Sequence, residues 1–146
     1  MIIRKGKIED IPSLHNLIVE LAIYEKEPTA VKATIEEYRT AWNDGVFEFT
    51  VAEHLGEIIG IALYYLTFST WKGKMLYLED FVVTEVFRQK GIGQKLFNQV
   101  LEEAKVKNCA LLKWQVLDWN TPALNFYKKY KAEIDKNWWN GKIILA

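Results

Sequence analysis

A glycine-bearing turn in the middle of the chain has the residue types that bind an anion. The turn consists of Arg88, Gln89, Lys90, Gly91, Ile92 and Gly93. Glycines let backbone N–H groups approach a ligand closely, and a helix that begins at such a turn directs the positive end of its dipole outward. The turn therefore suits a diphosphate, and its two basic side chains could add charge-assisted contacts to the same phosphates or to a separate ribose phosphate.

The same glycines also fit a tight strand-to-helix turn that binds nothing, so the alternatives depend on context. A dinucleotide-binding turn would have a third glycine and an acidic residue at the end of the next parallel strand. A nucleoside-triphosphate loop would have Gly-Lys-Ser or Gly-Lys-Thr. The sequence has neither pattern. Coenzyme A (CoA) is the diphosphate ligand that fits the turn better.

The elements around this turn are predicted to be a strand, a loop and a helix in direct succession. An apolar strand over residues 75–84 leads into the turn, and a helix over residues 92–107 follows it. Before them we expect a strand at residues 2–4, a helix with one apolar face behind Pro12, and a second helix after the capping box of Thr34 and Glu37. Strands over residues 47–52 and 58–68 should form a hairpin.

The end of the chain is predicted to add three short elements. Residues 111–117 read as a buried strand, Asn120 and Pro122 begin a short helix that runs to Tyr130, and residues 142–145 form a final strand. Strands that cluster before and after one strand–turn–helix unit indicate an α/β (α+β) fold. We expect a single mixed, mostly antiparallel sheet flanked by helices.

Length and composition limit the classes of function. A chain of 146 residues is the size of one compact domain, so we expect a single domain over residues 1–146. Nineteen basic residues balance nineteen acidic ones, which gives no overall field for nucleic acid or anionic lipid. The longest apolar stretch is interrupted by Gly60 and falls short of the roughly 20 residues that cross a bilayer.

The remaining sequence features predict a cytoplasmic protein that binds no metal. The first residues have neither an extended apolar core nor a small-residue cleavage site, so nothing marks a signal peptide. A lone Cys109 can form neither an internal disulfide nor a metal cluster, and its place between a helix and a strand is typical of a small buried residue. His15 and His54 lack the spacing of ligands.

The turn and its flanking segments together resemble the GCN5-related N-acetyltransferase (GNAT) superfamily. Its signature is Arg or Gln, two residues, Gly, one residue, then Gly or Ala, which Arg88, Gly91 and Gly93 match. Within it, the chain resembles the diamine (spermidine/spermine) acetyltransferases. That likeness is carried by Glu20-Leu21-Ala22 with Tyr24-Glu25, the segment with Trp71, Gly73 and Lys74, Tyr77-Leu78-Glu79-Asp80-Phe81, Gly91-Ile92-Gly93, Trp119-Asn120 and Asn125-Phe126-Tyr127.

The resemblance covers nearly the whole chain and implies a GNAT fold with acetyl-CoA as cofactor. It implies main-chain bonds from β-strand residues to pantetheine, amides of the turn around the diphosphate, and groups on the cofactor's other side. The residues implied are Phe81, Val82, Val83, Arg88, Gln89, Lys90, Gly91, Ile92, Gly93, Gln94, Asn120, Pro122, Ala123 and Tyr127. It also implies a homodimer with sites near the subunit boundary.

Glu79 is the candidate catalytic base. An alkyl amine has a pKa of about 10.4, so it must lose a proton before it can attack a thioester. Glu79 is a carboxylate in an otherwise apolar strand, where it can attract the ammonium and receive its proton directly or through water. The alternative is that Glu79 and Asp80 point to opposite faces of the strand and pair with basic neighbours.

Tyr127 is the candidate acid that protonates the departing CoA thiolate, because the resemblance places it at the sulfur. A buried core tyrosine is the alternative.

Amine recognition needs carboxylates and aromatic faces together. The substrate-binding candidates are Tyr24, Glu25, Trp71, Glu79 and Asp80. Tyr24 and Glu25 could instead be surface residues at the end of a helix, and Trp71 could simply fill a turn. Trp138 and Trp139 fit core or dimer contacts better than ligand contacts.

The expected function is therefore acetyl transfer to a small cationic amine, such as a diamine, a polyamine or a thialysine-like amino acid, by direct attack in a ternary complex. Two alternatives stay open. A noncatalytic acyl-CoA-binding module would keep Gly91 and Gly93 but have no use for Glu79 and Tyr127. An acetyltransferase acting on protein lysine would need a peptide groove that no segment of the sequence obviously supplies.

Overall fold

The computed structural model describes residues 1–146, in two compact units, Met1–Gln115 and Val116–Ala146. The first unit contains one five-stranded sheet whose spatial order follows the chain. Its strands are β1 (Ile2–Lys5), β2 (Glu48–His54), β3 (Glu57–Ser69), β4 (Gly73–Val83) and β5 (Leu111–Trp114). The first four strands pair antiparallel, and β5 joins β4 in parallel. The predicted mixed, mostly antiparallel sheet is confirmed.

Three helices of the first unit accompany this sheet: α1 (Ile11–Tyr24), α2 (Ile35–Asn43) and α3 (Ile92–Val106). α2 begins as predicted, because the Thr34 hydroxyl accepts from the Glu37 amide and the Glu37 carboxylate accepts from the Thr34 amide. A short 3-10 helix at Glu85–Phe87 lies between β4 and α3. None of the helices is long and apolar enough to cross a membrane.

Apolar side chains pack on both faces of the sheet. One cluster joins α1 residues such as Leu14 and Leu17 to Phe49, Ile61 and Val82 of the strands. The other joins Ile92 and Leu96 of α3 to Ile59, with Phe81 and Val83 packed against it. Successive residues at the end of β4 thus face opposite helices, as the alternation of a strand requires.

The pairing of β3 with β4 contains one irregularity, at Glu79. Leu63 pairs with Asp80, but the next residue, Tyr64, pairs with Leu78, so Glu79 is an extra residue in β4. Such a bulge disrupts the ladder locally and redirects side chains, and bulges are frequent next to active sites.

The second unit contains α4 (Thr121–Lys128) followed by a segment without regular structure. The Asn120 side chain accepts from the Ala123 amide at 3.3 Å, and Pro122 occupies the first turn, so the predicted start of this helix is confirmed. The predicted final strand at residues 142–145 is wrong. Ile143, Ile144 and Leu145 are exposed, and a strand needs a neighbouring strand for its hydrogen bonds.

Candidate active site

The turn between β4 and α3 presents backbone N–H groups. Gly91 is the N-cap residue of α3, with a left-handed φ of 81°, and no side chain caps this helix end. The first amides of an α-helix have no intrahelical acceptor, so those of Ile92, Gly93 and Gln94 can bind an external one. α3 is fifteen residues long, which gives this end the partial positive charge of a full helix dipole.

The two glycines of the turn have different reasons to be glycine. The left-handed backbone at Gly91 favours glycine whatever the surroundings. Gly93 has no positive φ, and a Cβ there would make ordinary contacts with Phe81 at 3.7 Å and Val83 at 3.9 Å. A tight turn therefore accounts for Gly91 but not for Gly93, whereas the close approach of an anion to the helix amides accounts for both.

The end of β4 leads into this turn. The parallel pairing with β5 ends at Leu78, and β4 continues from there to Val83. Phe81 and Val83 face α3, and Val82 is buried on the side of α1. A ligand arm can therefore lie beside this part of β4 without displacing a strand.

Three carboxylates meet near the bulge of β4. Burial, followed by the charges of Glu79 and Glu25, raises the pKa of Asp80 to about 7. Burial also raises the pKa of Glu25, at the end of α1. None of the three carboxylates forms an ion pair with a basic side chain. The alternative, in which Glu79 and Asp80 pair with basic neighbours, is therefore not observed.

Two tyrosines that sequence reasoning missed lie beside these carboxylates. The Tyr65 hydroxyl donates to Oε1 of Glu79 at 2.8 Å, and its ring stacks on Tyr77. Burial, then the charges of Asp80 and Glu79, raise the pKa of Tyr38 on α2 to about 12. No local pattern indicates either one, because only the folded structure brings Tyr65 of β3 and Tyr38 of α2 to these carboxylates. Carboxylates beside tyrosine rings are the environment that an organic cation prefers.

The other predicted residues of the first unit lie closer to the turn or at the hairpin tip. The Arg88 guanidinium lies 5.0 Å from the ring centroid of Tyr24, and Lys90 Nζ lies 5.5 Å from that of Phe87. Trp71 is 82% exposed, in the turn between β3 and β4. The strand from Glu79 to that turn is about 20 Å long, so one chain does not bring Trp71 to the carboxylates.

Within the second unit, α4 carries the remaining candidates. Asn120, Pro122 and Ala123 form its first turn, as described above. Tyr127 is buried, and its ring packs edge-on against Phe126 at 5.4 Å. Tyr127 is thus a tyrosine with little exposed surface, at the end of a short helix.

Comparison with known proteins identifies the class to which this fold and site belong. The profile of the Acetyltransferase (GNAT) family matches residues 11–131, and the chain belongs to that family. It is similar to the thialysine N-epsilon-acetyltransferase of Bos taurus, with 40% identity over 91% of this chain and 84% of the relative. It is also similar to the spermidine/spermine N(1)-acetyltransferase-like protein 1 of Homo sapiens, with 30% identity over 86% of this chain but only 19% of that longer protein. The chain is an N-acetyltransferase.

Solved structures confirm the fold. An aminoglycoside acetyltransferase, meta-AAC0020, from an uncultured soil metagenomic sample superposes with a TM-score of 0.82, covering 99% of this chain and 96% of that one. The identity is 20%, so this likeness concerns the fold alone. The predicted GNAT fold is confirmed.

Proposed function

We propose that this chain transfers an acetyl group from acetyl-CoA to a primary amine of a small cationic molecule: a diamine, a polyamine or a thialysine-like amino acid. The observation that carries the proposal is the group of carboxylates Glu25, Glu79 and Asp80, which has no basic partner within the chain. Glu79 is exposed, and Glu25 and Asp80 are half-buried. Like charges held close together are unfavourable unless a cation neutralises them, and an alkylammonium ion meets that need. The names of the bovine and human relatives support the same substrate class.

Acetyl-CoA is assigned to the turn before α3 and the end of β4. The uncapped amides from Gln89 to Gln94, with Gly91 and Gly93 among them, bind the diphosphate. By the family resemblance, the main chain of Phe81, Val82 and Val83 binds pantetheine. Lys90 adds positive charge at the turn. The same resemblance assigns Asn120, Pro122, Ala123 and Tyr127 to cofactor binding.

The proposed chemistry removes two protons from the nitrogen of the ammonium ion, one before attack and one as the amide forms, and delivers one proton to the leaving sulfur. Acetyl-CoA supplies a thioester carbonyl that a neutral amine can attack directly in a ternary complex. A carboxylate oxygen of Glu79 accepts the ammonium proton, directly or through water. The carboxylate of Asp80 keeps the protonated amine near Glu79 until that transfer. The Tyr127 hydroxyl donates its proton to the departing thiolate, and the resulting phenolate recovers the second proton that the nitrogen releases, directly or through water.

The same resemblance supports a homodimer, and the end of the chain offers apolar surface for one. Trp138, Trp139, Ile143, Ile144 and Leu145 are between 71% and 95% exposed in the single chain. Aromatic residues with little else to cover them are frequent in subunit contacts. Light scattering of the purified protein should give about twice the mass of one chain, and a monomer would refute this part of the proposal.

The decisive experiment combines acetyl-CoA with a panel of amines and measures free thiol. The panel contains putrescine, spermidine, thialysine, lysine and a lysine peptide. We expect turnover with a diamine, polyamine or thialysine, and a loss of roughly a hundredfold in Glu79→Gln, as for general bases. Glu57→Gln, an exposed carboxylate at the start of β3, is the matched control and should keep full activity.

Each contrary outcome of this experiment selects another function. CoA binding without thiol release for any amine would indicate a noncatalytic module. Turnover with the peptide alone would indicate a protein-lysine acetyltransferase. No affinity for CoA in calorimetry would refute the proposal as a whole.

A further inference from the structure

Glu20 joins the last turns of α1 to the segment that follows β4. Its two carboxylate oxygens each accept from the Thr84 hydroxyl at 3.1 Å, and Oε1 also accepts from the Glu85 amide at 3.2 Å. Arg88 Nη2 lies 3.9 Å from the same Oε1. One helical turn later, the Tyr24 ring lies beneath the Arg88 guanidinium. We call these contacts of Glu20 and Tyr24 with Thr84, Glu85 and Arg88 the α1 clasp.

Arg88 is thereby occupied on several sides by its own chain. Its Nε donates to the Val83 carbonyl at 2.8 Å, its face lies against Tyr24, and Nη2 points to Glu20. A guanidinium with a hydrogen bond, a ring and a carboxylate around it is fixed in orientation. It holds the start of the turn in place, which is a different task from contacting a phosphate.

The turn that the clasp holds has a costly backbone. Of the three residues from Gln89 to Gly91 that precede α3, two have left-handed backbone: Gln89, with a φ of 61°, and Gly91, with a φ of 81°. A non-glycine residue in that region costs about 1 kcal/mol or more, and it persists only where the surroundings determine it. The 3-10 helix just before the turn has no side-chain cap from its own N-cap, Thr84; the Glu20 carboxylate accepts its first amide instead.

From these contacts we propose that Glu20 is a positioning residue for the diphosphate-binding turn, acting through Thr84, Glu85 and Arg88. The inference rests on the proposed function for the identity of the ligand. It assigns Arg88 to the clasp rather than to a phosphate. Because the end of α1 also carries Glu25, the same helix connects the cofactor turn with the carboxylates that are proposed to bind the amine.

The two explanations of Glu20, charge and positioning, predict opposite changes in CoA affinity when the carboxylate is removed. The carboxylate is negative, and CoA is polyanionic, so neutralising Glu20 near the site should tighten CoA binding if only Coulomb forces acted. A positioning role predicts weaker binding, because the amides lose their preset geometry. The sign of the change in affinity therefore distinguishes the two.

The test is a double-mutant cycle on CoA affinity, measured by calorimetry. Glu20→Gln and Arg88→Gln should each weaken binding by roughly tenfold, and the double variant should bind within about twofold of the weaker single variant, because residues in one network do not act additively. At saturating acetyl-CoA, the kcat of Glu20→Gln should stay within about twofold of the wild type, while its KM for acetyl-CoA rises. Thr84→Val, which keeps the shape but removes a donor, should show a smaller rise.

Controls separate this inference from folding and from the proposed function. Glu27→Gln removes an exposed charge just beyond α1 and should leave CoA affinity unchanged. Thermal melts confirm that each variant is folded. Unchanged or tighter CoA binding by folded Glu20→Gln would overturn the inference, as would multiplied effects in the double variant, which would make Arg88 an independent phosphate contact. If the wild type itself does not bind CoA, the proposed function fails first.

Discussion

The Tyr65 hydroxyl donates a hydrogen bond of 2.8 Å to Oε1 of Glu79, from β3 to the bulged residue of β4. Tyr65 also pairs in register with Tyr77, and the two rings stack with centroids 5.5 Å apart. Both burial and this bond to Glu79 raise the pKa of the Tyr65 hydroxyl, so it stays a donor throughout the physiological range. The bond fixes one carboxylate oxygen of Glu79, and the other oxygen is the one that we propose for the amine.

Tyr65→Phe should lower kcat/KM for the amine. The variant keeps the ring stack but leaves the Glu79 carboxylate without its donor, and a hydrogen bond to a charged group contributes about 1.5–3 kcal/mol, or roughly tenfold or more in rate. Steady-state kinetics measure the effect. Tyr77→Phe is the matched control, since it keeps both the stack and the Tyr65–Glu79 bond. Equal losses in the two variants would contradict a specific role for this hydrogen bond.

Asp80→Asn should change the pH dependence of activity. Because burial and its acidic neighbours raise the pKa of Asp80 to about 7, the wild-type residue becomes an anion only around neutral pH. We expect kcat/KM for the amine to rise with pH through a limb near pH 7 as Asp80 ionises and attracts the ammonium. The limb should be absent from Asp80→Asn, and its persistence there would assign it to another group.

Asp80 should also affect stability, with an unusual sign. Its folded-state pKa is raised, so between its unfolded value of about 3.9 and about 7 the folded state binds more protons, and stability falls as pH rises. Denaturant unfolding should therefore find Asp80→Asn more stable than the wild type at pH 8 but not at pH 4. A variant less stable at pH 8 would show that Asp80 makes a structural contact worth more than this penalty.

Gly91→Ala should weaken CoA binding beyond its effect on stability. A Cβ at Gly91 meets nothing within 4 Å, so the cost of about 1–2 kcal/mol comes from the left-handed backbone, whose relaxation would turn the neighbouring amides. Gly56, in the hairpin between β2 and β3, has a φ of +79° and equally open space, so Gly56→Ala is a matched control. Melting temperatures should fall alike, while calorimetry with CoA should find weaker binding in Gly91→Ala alone.

Tyr127→Phe should reduce kcat with little change in either KM, because a proton donor to the leaving thiolate acts in the transition state. Tyr130→Phe, in the same unit, is the control for a hydroxyl lost near α4. If kcat of Tyr127→Phe equals that of the wild type with a good substrate, Tyr127 is a core tyrosine rather than an acid.

The ion pair of Arg4 with Asp10 should make stability fall in acid. The hydrogen bond from Arg4, opposed by burial and helped by the Lys7 amide, lowers the pKa of Asp10. A depressed folded-state pKa gives stability that is present above the unfolded value of about 3.9 and lost as pH falls through the folded value. Asp10→Asn should cost about 1–3 kcal/mol at pH 7 and less near pH 2. Urea unfolding measures this, with exposed Asp118→Asn as the control.

The helices and strands could be predicted because their periodicity and caps are local. The capping box of Thr34 and Glu37 and the succession of β4, turn and α3 appear where the sequence indicates them. The prediction of a strand at residues 142–145 was wrong because a local pattern alone does not make a strand. Ile143 and Ile144 have suitable side chains but no neighbouring strand in the chain.

The candidate site was predictable in its residue types but not in its contacts. Glu79 and Asp80 are conspicuous as carboxylates in an apolar strand, yet the alternation of a regular strand places them on opposite faces. The bulge that changes this depends on the pairing with β3, which no local pattern encodes. The contacts of Tyr65 with Glu79 and of Glu20 with Thr84 also join residues far apart in the sequence, and only the folded register brings them together.

The extra residue in β4 also divides the pairing of the strand into two segments. Pairs from Tyr64 with Leu78 toward the hairpin tip keep one offset, and pairs from Leu63 with Asp80 toward the turn keep another. Deleting Glu79 would merge the two offsets into one regular ladder, in which Leu78 and Asp80 keep their partners on β3. The sheet itself therefore does not require Glu79, since this strand could lose that carboxylate and keep every other pair.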